Sequence, residues 1–405
     1  MGLLINTSPL HESRPFARLW SAGVLVSVSA QMMQMAIAWT VYDETKSSLA
    51  VGALGLAIGL PTLVFGLVGG ALTDTCRPRR LGLVGVGGQV VVALALLATT
   101  VLIGFSLTLF YTLLFAQSAF GAVTSPTRRP YISHLLANSS IPAAMSLYML
   151  SMNMGQIAGP ILGGLLLNKN TIGLIFAIHA TVLIPYFLSV ASLPNIEAAS
   201  REKLGISLIA SGLRTTWNIH DIRTVLLTDL LATSIALPTA LLPALNEEVL
   251  EGDSTTYGSL LAALTIGGLL GTVFSGKLER IRQPVKAVVI IACLWCAVVA
   301  ILGMSSTLSV ALATLLTMGV LDAWSVIIQQ TVVQVQTPVA ALGRVGSVQN
   351  IIGMTGPQLG NFRAGVLGSL MDTPVAVVFS AAAGGLIIFG SFVSSRRQVM
   401  ADGSS

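Results

Sequence analysis

Three ionisable side chains lie inside long apolar runs in the second half of the chain: Asp229, Asp322 and Arg363. A charged group costs roughly 3 kcal/mol to place at the centre of a bilayer, and such groups usually face a polar interior where they handle protons, ions or ligands. A carboxyl group there can bind and release a proton. We therefore predict that Asp322 and Asp229 couple proton movement to the activity of the protein. A fixed ion pair between Asp322 and Arg363 is the alternative.

The surroundings of these groups predict a cavity lining. Asp322 lies about fourteen residues, or ~21 Å, from the outer end of its predicted helix, close to mid-membrane. Ser325 and Gln329 follow on the same helical face. Arg363 differs from Asp322 in depth by roughly 9 Å, so an ion pair would need a long side-chain reach or a tilted helix. Arg363 is instead predicted to contact an anionic group of a ligand, with Ser325 and Gln329 in the same wall.

Polar but uncharged faces stand at helical spacing in the first half of the chain. The first predicted helix presents Gln31 and Gln34, and the fourth presents Gln117. Such polar faces are candidates for the wall of a polar cavity. Hydrogen bonding between helices is the alternative, because such bonds stabilise membrane bundles. His179, in the sixth predicted helix, is expected either to face lipid or to pack against neighbouring helices.

The composition of the chain indicates that its apolar runs lie in a membrane. Of the 405 residues, 54% are hydrophobic and 9% charged, against about 25% charged in soluble domains. Residues 1–18 contain no apolar core, so no cleavable signal peptide is expected there. A helix needs roughly twenty apolar residues to cross the hydrocarbon layer. That length predicts an all-α integral membrane protein with twelve spans, at 19–41, 48–72, 80–103, 108–128, 141–167, 171–193, 221–245, 257–278, 285–304, 308–336, 344–370 and 374–395.

The distribution of basic residues tests the twelve spans. With the N-terminus in the cytoplasm, all but three of the 21 lysine and arginine residues fall inside, the exceptions being Lys46, Lys169 and Arg363. Cytoplasmic loops are enriched in basic residues. Both termini are therefore predicted to be cytoplasmic.

A long polar interval divides the spans six and six and predicts two pseudo-symmetric halves. The predicted organisation is an N-terminal segment (1–18), a first six-helix half (19–193), a central cytoplasmic loop (194–220), a second six-helix half (221–395) and a cytoplasmic tail (396–405). A faint internal repeat agrees with it, because Gly-Pro-x-Leu-Gly at residues 159–163 recurs at 356–360.

The turn between the second and third predicted helices combines glycines, one acid and several arginines. Gly70, Asp74, Arg79 and Arg80 define it. Asp74 is predicted to form a cytoplasmic gate with a cation at the end of the fourth helix. The candidates are Arg128 and Arg129, and the alternative is that Asp74 caps the N-terminal end of the eleventh predicted helix near Arg344.

This turn, the six-plus-six organisation and the central loop resemble the major facilitator superfamily. The fifth predicted helix, with Gly155, Gly159, Pro160, Gly163 and Gly164, resembles the glycine motif of antiporters in that superfamily. Shorter stretches at 125–129, 241–245, 275–278, 334–338 and 343–345 resemble the branch of enterobactin-type siderophore exporters and macrolide efflux proteins. The resemblance implies the major facilitator fold, with helices one, four, seven and ten lining a central cavity and with Gln31, Gln34 and Gln117 in its walls.

The combined reading predicts a secondary transporter. It would export a small organic molecule, a siderophore by resemblance, across a bacterial inner membrane by proton antiport and alternating access. A multidrug or macrolide efflux pump of the same fold is the alternative. A membrane enzyme and a non-transporting sensor are the alternatives from other classes, but the sequence holds no HExxH, GxSxG or Walker motif, so no enzymatic activity is predicted.

The expected partners follow from this reading. They are a small amphiphilic or siderophore-like molecule, protons and the lipid bilayer, with no nucleic acid, cofactor or metal and with a monomeric chain.

Overall fold

The computed structural model describes residues 6–167, 171–196 and 206–402, and within these ranges it leaves the side chains of 67–75, 129, 206–210, 277, 279, 280, 340 and 394–402 undescribed. The described chain contains α-helices and short 3₁₀ and π segments and no β-strand. The α-helices are α1 Ser8–Glu12, α2 Arg14–Thr45, α3 Ser48–Thr75, α4 Pro78–Leu102, α5 Leu107–Thr124, α6 Arg129–Leu135, α7 Ile141–Leu166, α8 Ile172–Ala191, α9 Ile206–Asn218, α10 His220–Leu231, α11 Leu242–Glu248, α12 Ser254–Val273, α13 Pro284–Gly303, α14 Leu308–Gln336, α15 Leu342–Leu370 and α16 Thr373–Asp402.

Ten segments of the described chain are long and apolar enough to cross a membrane. The predicted all-α integral membrane class is therefore confirmed. The other two predicted spans correspond to α7 and α15, which are long enough at 26 and 29 residues but are not among those ten. Both carry repeated glycines and polar side chains, which lower their hydropathy. The number twelve remains a prediction.

Most predicted boundaries lie within a few residues of the observed ones. Proline begins α4 at Pro78 and α13 at Pro284, where its missing N–H costs no helical hydrogen bond. Gly104, with φ +87°, ends the turn after α4. The one large departure is the helix predicted over 221–245. It is interrupted between α10 and α11 by a π segment, Ala232–Ala236, and a 3₁₀ segment, Thr239–Leu241.

Packing divides the chain into two compact units. Unit 1 comprises Met1–Glu44, Ala57–Leu204 and Asp253–Ala262. Inside it, α4 packs against α8 and α5. A buried apolar cluster that includes Val86, Ala93, Leu183 and Tyr186 holds this packing together.

Unit 2 comprises Thr45–Leu56, Gly205–Gly252 and Ala263–Ser405. Here α13 packs against α16 and α14, and α15 packs against α9 and the π segment after α10. The cores of α13 and α16 are aliphatic, with Val288, Val299, Leu302, Val377 and Ile388 fully buried. The interrupted helix, α14 and α15 therefore lie in one unit, and together they hold all three ionisable groups of the apolar runs.

Candidate functional site

The interruption after α10 is the backbone feature that shapes the site. The helix continues from Leu231 as a π segment over Ala232–Ala236, and Leu237 is then extended, with ψ 122°. Pro238 explains the break because its ring disfavours helical backbone at the preceding residue and its nitrogen cannot donate a hydrogen bond. π segments within helices occur frequently at functional sites. The sequence prediction missed this break, although Pro238 was a visible signal.

Arg363 stabilises the interrupted backbone. Its Nη2 donates to the carbonyl oxygen of Leu237 over 3.2 Å, and its Nη1 donates to Ser380 Oγ over 2.6 Å. A carbonyl freed by a helix break must find another donor inside a membrane protein. Among the described residues, Arg363 forms no salt bridge with Asp322. The guanidinium therefore connects α15 to α16 and to the break.

Asp229 and Asp322 line the same small cavity in unit 2. The cavity has a volume of about 20 Å³, enough for one water molecule. Thr228 and Thr233 on the interrupted helix, Trp295 on α13 and Ser325 on α14 also line it. The two carboxyl groups are close enough to interact electrostatically. The structure thus brings together the two acids that were predicted to couple protons.

The two acids differ in accessibility. Asp322 has an exposed side chain although it lies near the middle of the 29-residue helix α14, whereas Asp229 is half-buried. Gln329 is buried, lies beside Asp229 and donates from Nε2 to Ser325 Oγ over 3.0 Å. This arrangement gives one acid with more accessible surface, one acid with less, and an amide between the second acid and a hydroxyl. Each carboxyl group of the set can bind and release a proton.

The predicted cavity glutamines of the first half have different surroundings. Gln34 is exposed and Gln31 is half-buried on α2. Gln117 on α5 is buried at 7% exposure and bonds to His179, Nε2 to Nε2, over 3.0 Å. For Gln117 the contacts match the alternative, a hydrogen bond between helices.

His179 lies at the centre of a buried polar chain. Its Nδ1 is 2.9 Å from Ser29 Oγ, which donates to the carbonyl oxygen of Val26 over 3.2 Å. One direction of donation is consistent with all three contacts. Gln117 donates to Nε2, Nδ1–H donates to Ser29, and Ser29 donates to Val26. His179 has no exposed surface, so the expectation that it faces lipid is wrong and the packing alternative is correct. The chain ties α2, α5 and α8 together.

The predicted gate is described only in part. The side chains of Gly70, Asp74 and Arg129 lie outside the described part of the chain, so the pairing of Asp74 stays a prediction. Arg80 is exposed. Arg79 donates to the carbonyl of Ala191, the last residue of α8, where a cation favours the helix dipole.

Arg128, the other candidate partner of Asp74, lies in an aromatic setting. Its guanidinium stacks over the ring of Tyr186 at 5.2 Å. Cation–π contacts of this kind are attractive when the guanidinium is removed from water. Arg128 therefore connects the end of the fourth predicted span to α8.

The glycine motif of α7 forms a helix contact surface. A Cβ at Gly159 would approach the Cβ of Gln31 to 2.6 Å, and one at Gly164 would approach the carbonyl oxygen of Ser254 to 2.5 Å. Gly155 and Gly163 also face α2, and Pro160 meets α12 at Gly258. Small residues permit such close helix contacts in membranes. The repeated motif in α15 is used in the same way, because Gly356 and Gly360 face Thr233 of the interrupted helix.

Comparison with known proteins identifies the family. The profile of the transmembrane secretion effector family matches residues 6–402. The chain belongs to this family. Proteins of similar sequence include the enterobactin exporter EntS of Shigella boydii serotype 18, 27% identical over 389 residues that cover 96% of this chain and 92% of EntS. EntS of Shigella flexneri is 26% identical over 392 residues, with the same coverage of 96% and 92%.

Solved structures show the fold of this secretion effector family member. A POT family transporter in complex with 5-aminolevulinic acid superposes with a TM-score of 0.76 at 11% identity, covering 95% of this chain and 96% of that chain. This superposition shows the fold, and the family match confirms the predicted resemblance to the major facilitator superfamily, so the protein is a multi-pass membrane transporter.

Proposed function

We propose that this transporter exports a siderophore-like small molecule across the bacterial inner membrane in exchange for protons. The observation that carries the proposal is the acid pair, with Asp229 and Asp322 lining one cavity beside an interrupted helix. Enterobactin is the cargo named for the relatives over nearly their whole length, and it is the first candidate here.

The acid pair supports proton coupling through its charge. Two carboxylates in one small cavity repel each other when both are ionised, so the pair favours keeping one proton. Asp322 is the exposed member and takes up the proton, while Gln329 and Ser325 hold the neighbouring hydrogen bonds. Cargo carrying its own polar groups competes for Asp322 and releases the proton. Each export event then moves protons in the opposite direction.

The remaining parts of the proposal rest on the sequence. Both termini are on the cytoplasmic side, two six-helix halves alternate access around a midplane site, and the chain works as a monomer. Gln31, Gln34 and Arg363 contribute to the cargo cavity or its support. Asp74 with Arg128 or Arg129 closes the cytoplasmic side, and the glycines of α7 allow the helix contacts of an antiporter. In this proposal, transport requires no catalysed reaction, no cofactor and no metal.

Everted membrane vesicles test the proposed cargo. Radiolabelled enterobactin and a radiolabelled macrolide would be offered separately to energised vesicles that contain the protein or lack it. Protein-dependent accumulation of enterobactin, abolished by a protonophore, supports siderophore export. Accumulation of the macrolide alone identifies a drug pump of the same fold, and accumulation of neither overturns the cargo assignment.

A further inference from the structure

A second cavity of unit 2 lies between α9, α10 and α15 and has a volume of about 270 Å³. Its wall is formed by aliphatic and aromatic side chains, including Leu213, Trp217, Leu227, Leu230, Val348 and Ile352. It shares no lining residue with the cavity of the acid pair. We call it the α9 groove. Its apolar wall suits a hydrocarbon chain.

The helix α9 has the character of an interfacial helix. Gly212 faces inward, where an added Cβ would approach the carbonyl oxygen of Arg344 to 2.5 Å, and Thr216 is buried. The adjacent residues Leu213 and Trp217, one turn apart, line the groove and remain 49% and 54% exposed. Exposed tryptophan and leucine on a short amphipathic helix mark the boundary between headgroups and acyl chains. The distribution of basic residues predicts that this helix lies on the cytoplasmic side of the membrane.

Two arginines provide positive charge beside the apolar wall. Arg223 lines the groove, and Arg214 is exposed on α9. Within the part of the chain that the structure describes, neither arginine takes part in a salt bridge. The nearby Asp221 accepts a hydrogen bond from Gln336 over 2.7 Å and lies 3.4 Å from His220. The groove therefore combines a hydrocarbon surface with cations free to meet an anion.

We propose that the α9 groove binds an anionic phospholipid of the inner leaflet, with an acyl chain in the groove and the phosphate on Arg223 and Arg214. Long arginine side chains can extend along apolar surface and keep the guanidinium at headgroup level. Basic residues at the cytoplasmic surface attract anionic lipid. Because Leu230 follows Asp229 directly in α10, the bound lipid contacts the helix that carries one acid of the coupling pair.

Fluorescence quenching of Trp217 tests this proposal. The full-length protein would be reconstituted in vesicles of phosphatidylcholine with brominated phosphatidylglycerol or brominated phosphatidylcholine as the probe. The signal of Trp217 is obtained as the difference between the wild type and Trp217→Phe. Brominated phosphatidylglycerol should quench this signal with about fivefold higher apparent affinity than brominated phosphatidylcholine, the preference expected from one arginine near an anionic headgroup.

Variants test whether the preference for the anionic lipid arises in the α9 groove. Arg223→Gln should bring the two lipids close to equal affinity, whereas Arg18→Gln, which removes an exposed arginine of α2, should leave the preference unchanged. Ile352→Phe fills the groove and should reduce quenching by both lipids even if Arg223→Gln fails to fold. Equal quenching in the wild type, an unchanged preference in Arg223→Gln, or full quenching in Ile352→Phe would overturn the proposal. Protection of Trp217 by added enterobactin would assign the groove to cargo instead.

Discussion

At the scale of single residues, the three ionisable groups of the apolar runs have different surroundings. Asp322 is exposed, Asp229 is half-buried beside it, and Arg363 bonds to neutral oxygens of Leu237 and Ser380. A carboxyl group can bind and release a proton, whereas a guanidinium held by two neutral acceptors supports the backbone. The sequence predicted a functional role for all three groups. Their contacts agree with proton coupling for the two acids and with support of the interrupted backbone for Arg363.

If the acid pair carries the coupling proton, its loss should affect accumulation of cargo against a gradient more than downhill exchange of cargo. In Asp322→Asn and Asp229→Asn the cavity keeps its size, but one titratable group is lost. We expect downhill exchange of cargo to continue, while accumulation against a gradient falls at least about tenfold, as expected when a positioned proton-transfer group is removed. Exchange and gradient-driven uptake in proteoliposomes measure both quantities.

The control for the acid pair is Asp372→Asn, which removes an exposed acid between α15 and α16. This variant should accumulate cargo like the wild type. Unimpaired accumulation in Asp322→Asn would contradict the assignment of the proton to this pair.

Glu12 provides a prediction outside the membrane. Its carboxylate accepts hydrogen bonds from Ser140 Oγ over 2.6 Å and from the backbone N–H of Ala137 over 2.7 Å. These bonds lower the pKa of Glu12 below its ordinary value of 4.5. Because the pKa is lower in the folded state, the contribution to stability is present above the unfolded pKa and is lost as the pH falls through the folded pKa.

Glu12→Gln should therefore lower the unfolding midpoint at pH 7, and the difference from the wild type should shrink as the pH falls below 4.5. Thermal unfolding of the detergent-solubilised protein at several pH values measures this. Glu44→Gln, at another exposed glutamate, is the matched control. A difference that is independent of pH would contradict the role of the Glu12 carboxylate.

At the scale of the elements, helix packing depends on close approach at glycine and on the repair of one broken helix. The sequence predicted the helices well because their apolar runs have the length that a bilayer requires. It did not predict the π segment at Ala232–Ala236 or the contact of Arg363 with Leu237. The break had a local signal in Pro238, which a hydropathy average over a single helix does not register, whereas the contact of Arg363 with Leu237 joins residues that are far apart in the chain.

Two glycines of α15 form a matched pair. A Cβ at Gly360 would collide with the carbonyl oxygen of Thr233, whereas a Cβ at Gly353 would meet nothing within 4 Å. Gly360→Ala should destabilise the protein by about 1–3 kcal/mol, because the crowded helices must move apart. Gly353→Ala should be neutral or stabilising by up to about 1 kcal/mol, since alanine favours helix. Unfolding midpoints measure both, and equal effects would contradict the close approach at Gly360.

Variants of Arg363 distinguish support of the interrupted backbone from direct contact with cargo. In Arg363→Gln the carbonyl of Leu237 loses its donor, and an unsatisfied buried acceptor costs about 1–3 kcal/mol. We expect a lower unfolding midpoint and a lower maximal transport rate. Arg363→Lys can still donate to one of the two oxygens and should recover part of the stability. Unchanged stability with a raised KM for cargo would instead identify Arg363 as a cargo contact.

At the scale of the whole molecule, family membership and fold agree with the sequence. The major facilitator resemblance stood on glycines, one turn and the helix count, and the family match over residues 6–402 confirms it. The sequence also named both acids of the pair. It could not show that they share a cavity, because Asp229 and Asp322 are separated by more than one predicted span, and their approach depends on how α10, α13 and α14 pack.

Proton release upon addition of cargo is the measurement that tests proton-coupled export most directly. Proteoliposomes containing the protein and a pH-sensitive dye would receive enterobactin on one side without an imposed gradient. We predict protein-dependent proton movement opposite to the cargo, abolished in Asp322→Asn and preserved in Asp372→Asn. Cargo movement without any proton movement, or the same proton signal in Asp322→Asn as in the wild type, would contradict proton-coupled export through the acid pair.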